Sequence, residues 1–251
     1  MKTIRTYYKE HIERNKKMKR WISGILGLLV LLSVIVFIRT YNAIMKPNTM
    51  ITNDSEVSLY IHSNDDFETI KNKLYSDSVI INRRSFEWLA KKLDYPKYIK
   101  SGHYVIKDGM NNNQLLNMLR SGNQIPIDFT FNNIRTIEQF AKEADDQLKL
   151  DSLSILKALN EDSLLKEMGF KKESFASLFI PNTYELYWNI NPKDFIEKMT
   201  NEYKKFWNDT RLQKAKEINL TPIEVSILAS IVDKETTKTS EMSRIAGVYL
   251  N

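Results

Sequence analysis

The sequence predicts an α+β protein with a single N-terminal transmembrane helix, a small α+β module and then a mainly helical domain. Three observations support this fold class. A long uncharged run lies near the N-terminus, at 21–38. Apolar residues then recur at both alternating and helical spacings over residues 56–124. Helical spacing dominates from residue 125 to residue 251.

Composition excludes several classes of protein. A chain of 251 residues with 42% hydrophobic and 27% charged residues is neither disordered nor collagen-like. The absence of cysteine excludes disulfides, thiolate metal sites and a cysteine nucleophile. The three histidines (His11, His62 and His103) are far apart in the sequence. We therefore expect no metal and no other cofactor.

The excess positive charge of the chain is confined to residues 1–20. This segment holds eight basic and two acidic side chains, which accounts for the whole formal net charge of +6. The remainder carries equal numbers of basic and acidic side chains. A neutral body argues against nucleic-acid binding by that part of the chain. We interpret residues 1–20 as a basic cytoplasmic tail, for the reason given by the helix that follows it.

The uncharged run at 21–38 predicts a transmembrane helix. Eighteen helical residues extend about 27 Å, close to the roughly 30 Å of a bilayer core, and no face of the run is polar. A cleaved signal peptide is the alternative, but the run is longer than a usual signal core, and Arg39-Thr40-Tyr41 is not a small-x-small cleavage site. The preceding Lys and Arg residues predict a cytoplasmic N-terminus, so the rest of this single-pass protein of the plasma (inner) membrane is extracytoplasmic.

Residues 39–55 are polar and without a sustained period, which predicts a juxtamembrane linker. The module at 56–124 follows. Its predicted elements are a strand at 57–61, helices at 65–75 and 83–93, a strand at 103–106 and a helix that ends at Gly122.

The second domain, 125–251, begins with alternating apolar residues at 125–131, in which Pro126 favours an edge strand. Helical spacing then predicts helices at 137–148, 153–168 and 195–207. The segment 177–188, SLFIPNTYELYW, is rich in aromatic residues.

The helix that begins near Thr221 carries the candidate catalytic residue. Thr221 and Glu224 form a capping-box pattern, and an apolar stripe of Val225, Leu228, Ile231 and Val232 continues to Glu235. A carboxylate on a buried stripe is disfavoured when ionised, so its pKa should rise, as a general acid near neutral pH requires. The alternative is a Glu at the helix end that reaches solvent, and the pattern alone favours this alternative.

Several stretches resemble the YceG-like family, the membrane-anchored endolytic murein transglycosylases. Residues 228–236, LASIVDKET, resemble its A-S-I-V-E-K-E-T motif, and residues 178–184, LFIPNTY, resemble L-F-P-D-T-Y. Glu241 together with 245–251, IAGVYLN, is similar to E-R-x-x-I-A-x-V-F-x-N. Residues 101–122 resemble part of the family's small LysM-like subdomain, which would occupy 56–124.

The resemblance implies cleavage of the MurNAc–GlcNAc β-1,4 bond in nascent peptidoglycan, with 1,6-anhydroMurNAc ends that limit strand elongation. Glu235 would serve as acid and then as base, without a metal. For the aromatic candidates for substrate binding, the alternative is that they pack in the hydrophobic core. The substrate-binding candidates are Asn182, Tyr184, Tyr187, Trp188, Glu241 and Asn251. The implied partners are glycan strands and the membrane, with peptidoglycan synthases as candidates.

Four departures accompany the resemblance. Ala176-Ser177 replace a Glu-Gly pair, Asp233 replaces a Glu, Asn182 an Asp and Met242 an Arg. The family pattern also continues beyond Asn251, so we expect the catalytic domain at 125–251 to be incomplete. The alternative function is a membrane-tethered cell-wall-binding or scaffold protein without turnover. A third, weaker possibility is a single-pass regulatory protein that binds a protein partner.

Overall fold

The computed structural model of the chain describes residues 4–52, 55–132, 134, 136–161 and 163–250. It divides into two compact units, Met1–Asn123 and Gln124–Asn251. Both units combine helices with a two-stranded antiparallel sheet, and helices predominate in the second. The predicted α+β class is therefore confirmed.

The first unit begins with one long helix, α1, at Ile4–Met45. Its segment Trp21–Met45 is long and apolar enough to cross a membrane, and the apolar window is not buried in the protein. A core helix of a soluble protein would be buried. The segment therefore has the properties of a membrane anchor or of a signal sequence.

The segment predicted as a linker, 39–55, is largely ordered against the first unit. Helix α1 continues through it to Met45, and Asn48 and Thr49, just beyond, are buried. Asn48 donates from Nδ2 to Asn112 Oδ1 at 2.7 Å, and Thr49 donates from Oγ1 to the carbonyl of Lys107 at 2.8 Å. The prediction of a solvent-exposed linker is therefore wrong for this part of the segment. The polar side chains are buried because other protein groups satisfy their hydrogen bonds in place of water.

The rest of the first unit follows the predicted order of elements. The strands are β1, Glu56–Ile61, and β2, Gly102–Lys107; the helices are α2, Phe67–Ser76, α3, Arg83–Lys92, and α4, Asn112–Ser121, with a 3-10 turn at Tyr95–Lys97. Leu59 pairs with Tyr104 in the antiparallel sheet, and both contribute to the core beneath it. Helix α4 ends at Gly122, whose φ of 75° is the left-handed conformation that glycine adopts without strain.

The second unit surrounds another two-stranded sheet. The strands are β3, Ile127–Phe131, and β4, Asn182–Leu186; the helices are α5, Ile137–Gln147, α6, Ser152–Glu161, α7, Ser163–Glu167, α8, Pro192–Phe206, α9, Asp209–Glu217, α10, Pro222–Glu235, and α11, Thr239–Leu250, with a 3-10 segment at Lys172–Leu178. Helices α6 and α7 occupy the range predicted to be helical, 153–168. Strand β4 lies inside the aromatic segment 177–188 and pairs with β3, so that Tyr184 lies opposite Phe129.

Aromatic rings form the centre of the second core. Phe140 stacks on Phe179 with ring centroids 3.8 Å apart, and it meets Phe131 edge-on at 5.0 Å. Phe195 on α8 stacks on the same ring at 5.7 Å. Since these residues come from four separate segments of the chain, the cluster ties the helices to the sheet.

Candidate active site

Helix α10 begins with the capping box that the sequence predicts. Thr221 Oγ1 accepts a hydrogen bond from the backbone N–H of Glu224, and Glu224 Oε2 accepts from the backbone N–H of Thr221 at 2.8 Å. The Thr221 contacts hold the pKa of the Glu224 carboxyl below its ordinary value. Ile223 and Val225 pack against the core of the second unit, which fixes the start of α10 in place.

The buried position expected for Glu235 is wrong. Val232 is the one buried residue of α10, while Ile227 and Glu235 are exposed. Ile223 and Val225 pack against the core of the second unit and Val232 is buried, but Glu235, the last residue of α10, is not. The alternative from the sequence, a Glu at the helix end that reaches solvent, describes this structure.

The turn after α10 is held by Glu241, one of the predicted substrate-binding residues. Thr236 is buried and donates from Oγ1 to Glu241 Oε2 at 3.1 Å. Lys238 pairs with the other oxygen, Oε1, at 3.4 Å. Both carboxylate oxygens of Glu241 are thus engaged in joining α10 to α11.

Tyr249 on α11 reaches back to the candidate catalytic residue. Its hydroxyl donates to Glu235 Oε1 at 3.2 Å. Glu235 Oε2 makes no hydrogen bond to any residue that the structure describes. One oxygen of the carboxylate is therefore oriented by the protein, and the other is available to a bound molecule.

The contact has a measurable electrostatic consequence. The negative charge of Glu235 and the hydrogen bond to it raise the pKa of the Tyr249 hydroxyl above its ordinary value of 10.0. Replacing Glu235 with Gln removes the charge, so we expect the pKa of Tyr249 to fall toward 10. Titration of ¹³C-labelled tyrosine rings by NMR measures this shift, with Tyr187 as an internal reference. An unchanged Tyr249 pKa in the variant would contradict the contact.

Tyr184 is a core residue, and the predicted role of its ring as a sugar platform is corrected. It is buried, and its ring stacks on Phe131 with centroids 5.7 Å apart. Its hydroxyl donates to the carbonyl of Ile180, and burial raises the pKa of that hydroxyl to about 12. The core alternative that accompanied this prediction applies to Tyr184.

The other candidates near β4 remain accessible. Asn182 is exposed and accepts a hydrogen bond from the backbone N–H of Thr183. The Tyr187 side chain is 52% exposed. Trp188 is half-buried, with the Lys149 ammonium 5.7 Å from the centre of its ring. The remaining candidate, Asn251, lies outside the described residues.

Two of the candidates, Glu235 and Glu241, lie at the same turn. They flank the turn between α10 and α11. Within the described ranges, the candidates near β4 (Asn182, Tyr187 and Trp188) make no hydrogen bond or ion pair with either carboxylate. Sequence reasoning gave no role to Thr236 and Tyr249, because the turn at 236–238 breaks the helical spacing on which it relied. In the same described part of the chain, no three acidic or histidine side chains cluster as metal ligands would.

The chain was compared with family models, solved structures and curated proteins. The model of the YceG-like family matches residues 59–251. Among solved structures, the chain is similar to a Listeria monocytogenes protein described as YceG-like, with 18% identity and a TM-score of 0.43, over 75% of this chain and 67% of that chain. No curated protein matches the chain.

Proposed function

The chain belongs to the YceG-like family, and from that premise we propose that it is an endolytic lytic transglycosylase of peptidoglycan, anchored in the membrane by α1. The observation that carries the proposal is the position of Glu235. Its carboxylate is exposed at the end of α10, it is oriented by Tyr249, and it lies within the segment that matches the family.

One carboxylate is sufficient for the proposed reaction. A retaining glycosidase requires a second carboxylate as nucleophile about 5–5.5 Å from the first. In a lytic transglycosylase, the C6 hydroxyl of the MurNAc residue takes that role. Glu241, with both oxygens engaged by Thr236 and Lys238, is poorly suited to act as a nucleophile.

In the proposed reaction, Glu235 gives up one proton in the first step and regains one in the second. Glu235, in its protonated form, donates through Oε2 to the glycosidic oxygen as the C1–O bond of MurNAc breaks. The resulting carboxylate then accepts the proton of the C6 hydroxyl, whose oxygen bonds to C1 and closes the 1,6-anhydro ring. A glycan strand lying over Glu235 would exclude bulk water from both proton transfers.

The decisive test is the chemistry of the new chain ends. We expect the full-length protein, incubated with purified sacculi, to release muropeptides with 1,6-anhydroMurNAc ends, identified by mass spectrometry. Binding to sacculi without anhydro ends would instead favour a membrane-tethered cell-wall-binding protein without turnover. Reducing ends, the product of hydrolysis, would contradict the proposed use of the C6 hydroxyl.

The anchor makes a separate prediction about truncation. Removing residues 1–38 should release the protein from membranes and leave the rest folded, because α1 begins to pack on the first unit only after Ile38. Removing residues 1–45 also deletes the carbonyl of Ala43, which accepts from Asn112 at 2.8 Å, and the apolar contact of Ile44. We expect this second truncation to lower the free energy of unfolding by about 1–3 kcal/mol more.

Membrane fractionation and circular dichroism on the two truncated proteins measure these outcomes. Loss of helical signal beyond that of the deleted residues, in the protein that begins at residue 39, would show that the remaining chain depends on α1. Retention of that protein in the membrane fraction at high salt, which screens attraction between exposed charges and headgroups, would contradict the anchor.

A further inference from the structure

We propose that one face of the first unit lies on the anionic phospholipid headgroups of the leaflet from which α1 emerges. We call this face the basal surface and define it by six exposed side chains: Arg39, Tyr41, Met45, Lys46, Arg84 and Trp88. The inference goes beyond the proposed reaction and rests on the proposed membrane anchor.

The first step is the height of this surface above the bilayer. The uncharged run ends at Ile38, and Thr40, only two residues later, is already half-buried against the first unit. At about 1.5 Å per helical residue, Thr40 to Ile44 lie roughly 3–9 Å beyond Ile38. The headgroup layer on each side of a bilayer is about 5–7 Å thick. The parts of the unit beside these residues are therefore level with the headgroups.

Hydrogen bonds identify which parts those are. Asn112 Nδ2 donates to the Ala43 carbonyl at 2.8 Å and to Ser85 Oγ at 3.0 Å. Asn48 Oδ1 accepts from the backbone N–H of Asn82 at 2.7 Å. The first turn of α3 and the first turn of α4 thus lie directly beside the exit of α1.

Charge is distributed asymmetrically over the first unit. The three segments joined at the exit of α1, residues 39–52, 79–86 and 107–117, contain five basic residues and one acidic residue, Asp108. The segments 55–78, 87–106 and 118–123 contain seven of each sign. All the excess positive charge of residues 55–123 and 39–52 therefore lies around the exit of α1.

Most of these cations are available to a ligand. Arg83 stacks on the Tyr75 ring, with its guanidinium carbon 4.4 Å from the ring centre. Arg39, Lys46 and Arg84 are exposed, and none of them forms an ion pair with another described residue. Three cations at headgroup height complement the phosphates of an anionic leaflet.

The aromatic residues of the basal surface fit the same environment. The Tyr41 side chain is 56% exposed, three residues beyond Ile38, and Trp88 is 38% exposed. Trp88 follows Arg84 by one helical turn, so the two share a face of α3. Tyrosine and tryptophan next to basic residues are the side chains enriched where proteins meet the headgroup layer. Membrane helices tilt by about 0–40° from the bilayer normal, and interfacial anchors help to set the angle. Contacts of the basal surface with lipid would therefore favour a tilt of α1 that brings α3 onto the headgroups.

The test uses the full chain in phospholipid nanodiscs. Because the sequence contains no cysteine, a single nitroxide label at Ile81→Cys is unique. Ile81 is 58% exposed, and its N–H donates to the carbonyl of Asn48 at the basal surface. The control label is at Tyr98→Cys, which lies beside Arg120 near the far end of α4. Electron paramagnetic resonance measures collision with a water-soluble nickel chelate and with oxygen, which partitions into lipid.

We expect the Ile81 label, but not the Tyr98 label, to be shielded from nickel in discs that mix phosphatidylglycerol with phosphatidylcholine, and less so in phosphatidylcholine alone. Each cation near an anionic surface favours contact about 5-fold, so Lys46→Glu with Arg84→Glu should shift the equilibrium away from contact by at least about 25-fold. The matched reversal Lys97→Glu with Arg120→Glu should leave the Ile81 label shielded.

Three outcomes would overturn the inference. Equal exposure of both labels in a protein that stays in the disc would refute the basal surface alone. Equal shielding of the Ile81 label in both lipids would refute its preference for anionic headgroups. Failure of the chain to enter the disc would refute the anchor, and the inference with it, while the chemistry proposed for Glu235 would still be tested by the anhydro ends.

Discussion

Replacing Glu235 with Gln is expected to lower the rate of anhydro-end formation by about 10²–10⁴-fold or more. Gln has nearly the size of Glu, and its amide oxygen accepts a hydrogen bond from Tyr249 as the carboxylate does at 3.2 Å. It carries no transferable proton, and the proposed mechanism uses this one group in both proton transfers. Mass spectrometry of the muropeptides released from sacculi measures the rate.

Asp233→Asn is the matched control. Asp233 is also exposed near the end of α10, but it precedes Glu235 by two residues and so leaves the helix in a different direction. An equal loss in both variants, or no loss in Glu235→Gln, would show that another group transfers the proton. Both variants should unfold within about 0.5 kcal/mol of the parent protein, because both side chains are exposed. A buried catalytic carboxylate would instead make the Gln variant more stable.

Phe140→Ala is expected to lower the free energy of unfolding of the second unit by about 3–5 kcal/mol. The ring is completely buried, and it contacts Phe131, Phe179 and Phe195. Its removal leaves a cavity among aromatic neighbours that cannot easily close. Urea unfolding followed by the fluorescence of Trp207, which lies in the same core, measures the loss.

Leu153→Ala provides the comparison for a large apolar residue outside the core. Leu153 is on α6 in the same unit, but its side chain is 72% exposed. We expect a change within about 0.5 kcal/mol. Similar losses in the two variants would mean that the aromatic cluster does not determine the stability of this unit.

The first unit could be predicted well because its signals are local. Asn111 caps α4 through a reciprocal box with Gln114, and Gly122 ends the same helix, all within a short stretch of chain. The linker prediction failed at Asn48 for the opposite reason. Its partner Asn112 is 64 residues away, and a polar side chain with no visible partner suggests exposure.

The candidate site was predicted only in part, and for a related physical reason. Spacing predicted Glu235 in line with Val232, but it does not report how much of a helix another element covers. The residues of α10 that pack against the main core of the second unit are Ile223 and Val225, in its first half. Tyr249 lies 14 residues beyond Glu235, across a turn. No helical period extends through such a turn, so the contact was not visible in the sequence.

The thin packing of α10 and α11 affects how the candidate site responds to a ligand. The two helices contain one buried residue between them, Val232. Segments with few buried contacts open locally at a lower free energy than the whole domain. A glycan strand across Glu235 would bind the closed arrangement and oppose this opening, so part of its binding energy would be spent on ordering the helices. The occupied site would then be more rigid than the empty one, and a short fragment with few contacts would order it less than a long strand.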